Sequence, residues 1–168
     1  MIRTLQGRAW KLGDDIDTDV IYPGRYLPLL DPAEMAAHAL EGIDPEFPAK
    51  LRPGDILAAG KNFGCGSSRE QAATCLKTAG VTCVIAASFS RIFFRNAVNL
   101  GLPLVECREA ADAVETGDMV SVDFQSGTVG VKGLSFPFPP LPETVLSILE
   151  EGGLINSIKK KIAAGKNK

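Results

Sequence analysis

The chain has a single histidine, His38, in 168 residues, and no two of its four cysteines (Cys65, Cys75, Cys83, Cys107) are spaced as C-x-x-C. That excludes the usual layouts of a zinc site or an iron–sulfur cluster held by this chain alone. No apolar run approaches the length of a membrane span. The opening residues, Met1–Trp10, have neither the apolar core nor the small-residue cleavage site of a secretion signal, so a cytoplasmic protein with free thiols is expected. An excess of one charge is also missing: 18 Lys and Arg against 20 Asp and Glu leave a net charge of −2. Nothing in that balance suggests a nucleic-acid surface. The last ten residues, KKKIAAGKNK, are locally basic and read as a solvated terminus.

What remains is an ordinary globular composition, rich enough in apolar residues to bury a core. It predicts one α/β domain over residues 1–168, with 156–168 a partly frayed C-terminal helix and tail. Residues 1–13 alternate and read as one or two strands, and Ile16–Leu27 reads as a strand closed by Pro23-Gly24. Asp31-Pro32 opens a helix expected to reach Glu41. Ile43–Asp55, with three prolines, reads as a loop. Strands at Ile56–Gly60 and Thr82–Ser88 alternate with helices at Arg69–Thr78 and Phe89–Gly101, and a short strand lies in LPLVEC; this alternation implies some parallel pairing. A hairpin around Ser126-Gly127, a loop FPFPPLP, and helices at 142–151 and 154–164 complete the chain.

The most informative stretch is GKNFGCGSSRE, Gly60–Glu70. It lies between a strand and a helix, where unpaired N–H groups and the helix dipole favour an anion. Glycines let the backbone bring those amides together. A capping box, Ser67 with Glu70 or Ser68 with Gln71, accounts for part of the pattern. It leaves Arg69 unexplained, because positive charge at a helix start opposes the dipole. A guanidinium fixed there suits a carboxylate that must be gripped. The stretch ends in Gly-Ser-Ser-Arg, not the Gly-Lys-Ser/Thr of a phosphate loop. It fits a dinucleotide fingerprint poorly, and a nucleophile elbow would need a histidine. His38 sits in an alanine-rich helical stretch and does not read as that base. A serine without histidine can act as a base if amides and a cation stabilise its oxygen.

Together, DDIDTDVIYPGRYL, GKNFGCGSSRE and CVIAASFSRIFFRNAVNLGLPLVEC resemble the small subunits of 3-isopropylmalate dehydratase, the detached swivel domain of the aconitase superfamily. The resemblance implies a swivelling β/β/α fold: a mixed sheet with flanking helices. It implies a hydro-lyase active only with a large subunit, and a 4Fe–4S cluster carried by that partner and not by this chain. It makes Ser67 the base and Arg69 the substrate-carboxylate ligand, with Gly66, Ser68, Thr18 and Asp19 completing the binding site; Asp19 reads equally as a turn or cap residue. Cys65 stands where aconitases proper have glutamate and is read as packing, like Cys75, Cys83 and Cys107 in the core. Arg91 and Arg95 are read as structural ion pairs or interface residues.

Tyr26, Leu27, Pro28, Leu29 and Leu30 form the segment expected to face the substrate's third substituent. Homoaconitase-type relatives carry an arginine after Tyr-Leu, where this chain has Pro28. An apolar wall favours a branched alkyl group and leaves a carboxylate unpaired. That points to isopropylmalate, interconverted through isopropylmaleate in leucine biosynthesis. The alternatives are dimethylmalate or citramalate, homoaconitate if Arg25 turns inward, or a stand-alone anion-binding or assembly module; a swivel domain isolated from its large subunit is expected to self-associate through its bare docking face.

Overall fold

A computed structural model describes residues 4–166. One sheet of seven strands runs through it in the order β4-β3-β2-β1-β5-β6-β7. β1 (Thr4–Lys11), β2 (Ile56–Ala59), β3 (Cys83–Ala86) and β4 (Leu104–Glu106) pair in parallel. β5 (Met119–Asp123), β6 (Thr128–Val131) and β7 (Leu134–Pro137) add an antiparallel half onto the other edge of β1. β2 and β3 are buried throughout, as parallel strands covered on both faces must be. Their alternate residues split between two cores. Leu57, Ala59, Val84 and Ala86 join Leu76, Phe93 and Tyr22 on one side; Ile56, Ala58, Cys83 and Ile85 join Ala110, Val122 and Val129 on the other. The first core is capped by α4 (Glu70–Thr78) and α5 (Arg91–Asn99), the second by α6 (Arg108–Ala113).

Several expected elements differ. Ile16–Leu27 is not a strand: Asp17 caps the short α1 (Thr18–Ile21), its carboxylate accepting from the Val20 N–H at 2.8 Å, and a 3-10 turn follows at Gly24–Tyr26. The local cap outweighs β-branched propensity there. The helix at Asp31-Pro32 starts as expected, with Asp31 accepting from Ala33, but α2 (Pro32–Ala36) stops five residues short of Glu41. Beyond it the Leu40 and Gly42 amides donate to the carbonyls of Ile21 and Val20, at 2.7 and 3.0 Å. Those tertiary bonds replace helical ones. The proline-rich loop contains a one-turn helix, α3 (Phe47–Lys50), whose Phe47 ring packs 5.0 Å from Trp10.

FPFPPLP begins inside β7, which pairs with β6 through a two-residue turn at Lys132-Gly133. Both turn residues have positive φ, 54° and 74°, as a tight hairpin requires. α7 (Glu143–Glu150) and α8 (Leu154–Lys166) close the chain where expected. No helix among the described residues is long and apolar enough to cross a membrane.

Candidate functional site

The Gly60–Glu70 stretch leaves β2 and is laced to residues 14–18, which leave β1. Asp14 accepts from the Lys61 amide, the Asp15 amide donates to the Lys61 carbonyl, and Gly64 donates to Ile16. The Thr18 amide donates to Cys65 O at 2.9 Å, and the Thr18 hydroxyl to Ser67 O at 2.8 Å. Thr18, itself buried, thus sets the backbone on which Ser67 stands. Below, Phe63 packs edge-on against Phe93 at 5.2 Å. Gly64 lies over that ring with φ +81°, where a Cβ would come within 2.2 Å of Phe93. Gly66, at φ +91°, makes a further left-handed bend, against Asp17 and Thr18.

These bends overturn the capping box. The N-cap of α4 is Arg69, in an extended conformation, and no side chain caps the helix. Ser67 and Ser68 are both exposed, and neither hydroxyl has a partner among the described residues. The N–H groups of Ser67, Ser68, Arg69, Glu70 and Gln71 likewise find no protein acceptor among those residues. The loop therefore presents donors and a cation at the head of a nine-residue helix.

Arg69 is fixed from behind. Its Nη1 donates to Asp19 Oδ1 at 2.8 Å and to the Tyr22 carbonyl at 3.1 Å, and the side chain is only 17% exposed. The Asp19 carboxylate also accepts from the Gly24 amide at 2.9 Å. The Arg69 hydrogen bond first, and the Gly24 amide second, hold its carboxyl below the usual carboxylate range. Asp19 is thus both a residue of the first turn of α1 and the counterion of the arginine. The structure brings Thr18 and Ser67 together through one hydrogen bond and Asp19 and Arg69 through another, with Gly66 lying against Thr18 between them. Ser68 is adjacent in the chain but bonded to none of them.

The Tyr26–Leu30 segment follows the same turn. The buried Tyr22 hydroxyl donates to the Tyr26 carbonyl at 2.5 Å. Tyr26 stacks on His38 with 3.6 Å between ring centres, and both side chains reach Glu41. Leu27 and Pro28 are exposed, Leu29 is half-buried, and Leu30 is 89% exposed. Arg25 does not enter the site as a free cation: its guanidinium is bonded to Glu41 at 2.7 Å. His38 is a packing and hydrogen-bonding partner in this cluster. Tyr22, Gly24 and Glu41 were not named as site residues from the sequence. Gly24, and Tyr22 in its contact with Arg69, act through backbone atoms, which leave no side-chain signature.

Cys75, Cys83 and Cys107 are core residues, and burial pushes all three thiols up. Cys65 is half-buried beside the loop; burial first, and nearby Asp17 and Asp15 second, raise its thiol as well. Arg91 and Arg95 have no carboxylate partner among the described residues, so the ion-pair reading falls. They line an open cleft of about 560 Å³ with Phe89, Phe94 and Ile148.

Residues 29–109 match the aconitase C-terminal domain family. The chain is 55% identical over 159 residues to the 3-isopropylmalate dehydratase small subunit 1 of Methanopyrus kandleri, covering 94% of each. It is 50% identical to the isopropylmalate/citramalate isomerase small subunit of Methanocaldococcus jannaschii, over 95% of this chain and 96% of that one. A crystal structure of 3-isopropylmalate dehydratase from the same organism superposes with a TM-score of 0.92 at 43% identity, covering 98% of this chain and 99% of the other. On its sequence and its fold, the chain belongs to the family of 3-isopropylmalate dehydratase small subunits, the aconitase-superfamily proteins built on this mixed sheet.

Proposed function

We propose that this chain is the small subunit of a hydro-lyase that interconverts 2-isopropylmalate and 3-isopropylmalate through isopropylmaleate, in leucine biosynthesis in the cytoplasm. It works only when paired with a large subunit. The observation that carries this reading is the arrangement at the head of α4: a guanidinium held from behind by Asp19 and the Tyr22 carbonyl, two residues from the open Ser67 hydroxyl.

The residues of this chain do not fit an iron–sulfur cluster. No group of three or more His, Cys, Asp or Glu side chains among those described stands ready to hold a metal, and Cys75 and Cys83 are buried in different cores. A 4Fe–4S cluster would sit in the large subunit, where it would supply Lewis-acid chemistry at the substrate hydroxyl. On this chain, Arg69 takes a substrate carboxylate with the fork face that Asp19 does not occupy. Ser67, as alkoxide, takes the carbon-bound proton. The electron pair of that C–H bond forms the double bond as the hydroxyl leaves the neighbouring carbon with its own pair. Rehydration returns the proton from Ser67 with the opposite regiochemistry. Unpaired amides at the start of α4 and the Arg69 charge favour the ionised serine.

An apolar Pro28–Leu30 favours a branched alkyl substituent over a carboxylate. Arg25, already bonded to Glu41, is not free to receive the distal carboxylate of homoaconitate. The name of the M. jannaschii relative favours one alternative, citramalate, with methyl in place of isopropyl. Anaerobic reconstitution with the large chain tests the assignment. The pair should hydrate isopropylmaleate, and Ser67→Ala should lose on the order of 10³-fold in kcat while still assembling. Turnover retained in Ser67→Ala removes the base. A pair that never forms leaves the anion-binding module as the better account.

A further inference from the structure

We infer that Tyr22 and Glu41 are positioning residues: together they lock the Tyr26–Leu30 segment to the Arg69 clamp, and selection of the substrate's third substituent depends on that lock. The inference rests on the reading of Arg69 and Tyr26–Leu30 given above, and deepens it. Tyr22 is fully buried and acts at both ends. Its carbonyl accepts from Arg69 at 3.1 Å, and its hydroxyl donates to the Tyr26 carbonyl at 2.5 Å. One rigid residue therefore joins the carboxylate grip to the start of the segment.

Glu41 fixes the side chain of Tyr26. Its Oε1 accepts from the Tyr26 hydroxyl at 2.6 Å and from Arg25 at 2.7 Å, and its Oε2 bonds His38 Nδ1 at 2.6 Å. The Tyr26 ring is held flat on His38, the planes only 13° apart, and Arg25 lies 4.7 Å from its centre. Burial works to raise the Glu41 carboxyl, but the bonds from Tyr26, His38 and Arg25 outweigh it and keep the group ionised. Glu41 is itself anchored, because its neighbours Leu40 and Gly42 donate to Ile21 and Val20 at the end of α1. α1 carries Asp19, so the bonds close a ring: Asp19, Arg69, Tyr22, Tyr26, Glu41 and back to α1. Beyond Tyr26, among the described residues, the Leu27 and Leu29 amides donate to the Gly24 and Tyr26 carbonyls, the Leu29 side chain packs on the core that contains Tyr22, and Leu30 is almost fully exposed. The placement of the apolar segment therefore follows from the ring together with the Leu29 contact to that core.

The test uses the chain paired with its cluster-bearing partner, with isopropylmaleate and methylmaleate as substrates. Tyr22→Phe and Glu41→Gln should reduce the preference for the isopropyl substrate by ~5-fold or more in kcat/KM, mainly through KM. A purely structural role lowers kcat for both substrates alike and leaves the ratio unchanged; that result, or no change at all, overturns the inference. A second readout needs no activity. His38 is the chain's only histidine, so its carbon-bound ring protons are identifiable by NMR in the isolated subunit. Stacking on Tyr26 should shift them upfield, and Glu41→Gln should return them towards free-histidine positions; an unchanged signal overturns the buttress. If the wild-type pair turns over neither substrate, the proposed function fails, while the His38 signal still decides whether Glu41 holds Tyr26.

Discussion

At the scale of single residues, Arg69 violates the rule that cations avoid helix starts, and the structure explains how that is tolerated. Asp19 neutralises it, and the Tyr22 carbonyl takes a second donor. Arg69→Lys keeps the charge but loses the planar fork, since an ammonium cannot hold Asp19, the carbonyl and a substrate carboxylate in one plane. The expected outcome is a fall of about 100-fold in kcat/KM for isopropylmaleate with the fold intact by circular dichroism. The pair also has an acid limit. The Asp19 pKa is lowered in the folded chain, so its contribution is present above the unfolded value near pH 4 and is lost as pH falls through the lower folded one. As both partners meet solvent, that contribution is small in stability; it is visible as loss of carboxylate binding in acid. Arg69 was legible in the sequence because its type conflicts with its position. Tyr22 was not, because its carbonyl does the holding, and any residue has one.

At the scale of elements, the glycine loop shows what local pattern reveals and what packing alone decides. The sequence placed a strand, a loop and a helix correctly around Ser67, but offered a capping box that does not form. The left-handed bends at Gly64 and Gly66 carry both serines away from the helix axis and make Arg69 the N-cap. Ile16–Leu27 misled for a similar reason: one aspartate, Asp17, turns a β-branched run into a helical turn. Gly64 itself yields a sharp expectation. Alanine there meets the Phe93 ring at 2.2 Å and must hold φ at +81°. Gly64→Ala should destabilise the subunit by about 2 kcal/mol or more. Adding Phe93→Ala removes the ring atoms at 2.2 and 2.8 Å but keeps the Phe93 Cβ at 2.4 Å and opens a cavity, so the relief is partial and the double variant should be somewhat less destabilised than the sum of the singles. Denaturant midpoints of the four proteins check this; strict additivity would mean that ring and loop are not in contact.

At the scale of the whole molecule, β1 is the seam. It pairs in parallel with β2 on one edge and antiparallel with β5 on the other, so both halves of the sheet hang on it. The alternation of elements made an α/β sheet legible; the central place of β1 was not, because strand order depends on contacts more than 100 residues apart, such as Arg8 with Met119. Asp55, just before β2, secures the seam. Its Oδ2 accepts from Trp10 Nε1 at 2.8 Å, from Arg8 at 3.1 Å and from the Arg52 amide at 2.9 Å. Burial works to raise its carboxyl, but those three donors outweigh it and the net shift is downward. The charged form is thus the one the fold requires: its contribution is complete above about pH 4 and fades as pH drops through the folded value. Asp55→Asn keeps an acceptor oxygen but loses the charge, and should cost about 1–3 kcal/mol at pH 7. Trp10, the chain's only tryptophan, reports the event directly by fluorescence. The melting temperature of Asp55→Asn should lie several degrees below wild type at pH 7, roughly 2–4 °C per kcal/mol. The gap should close towards pH 3, because only wild type has a carboxylate left to lose. A gap that stays constant across that range would mean the Asp55 charge does not hold the seam.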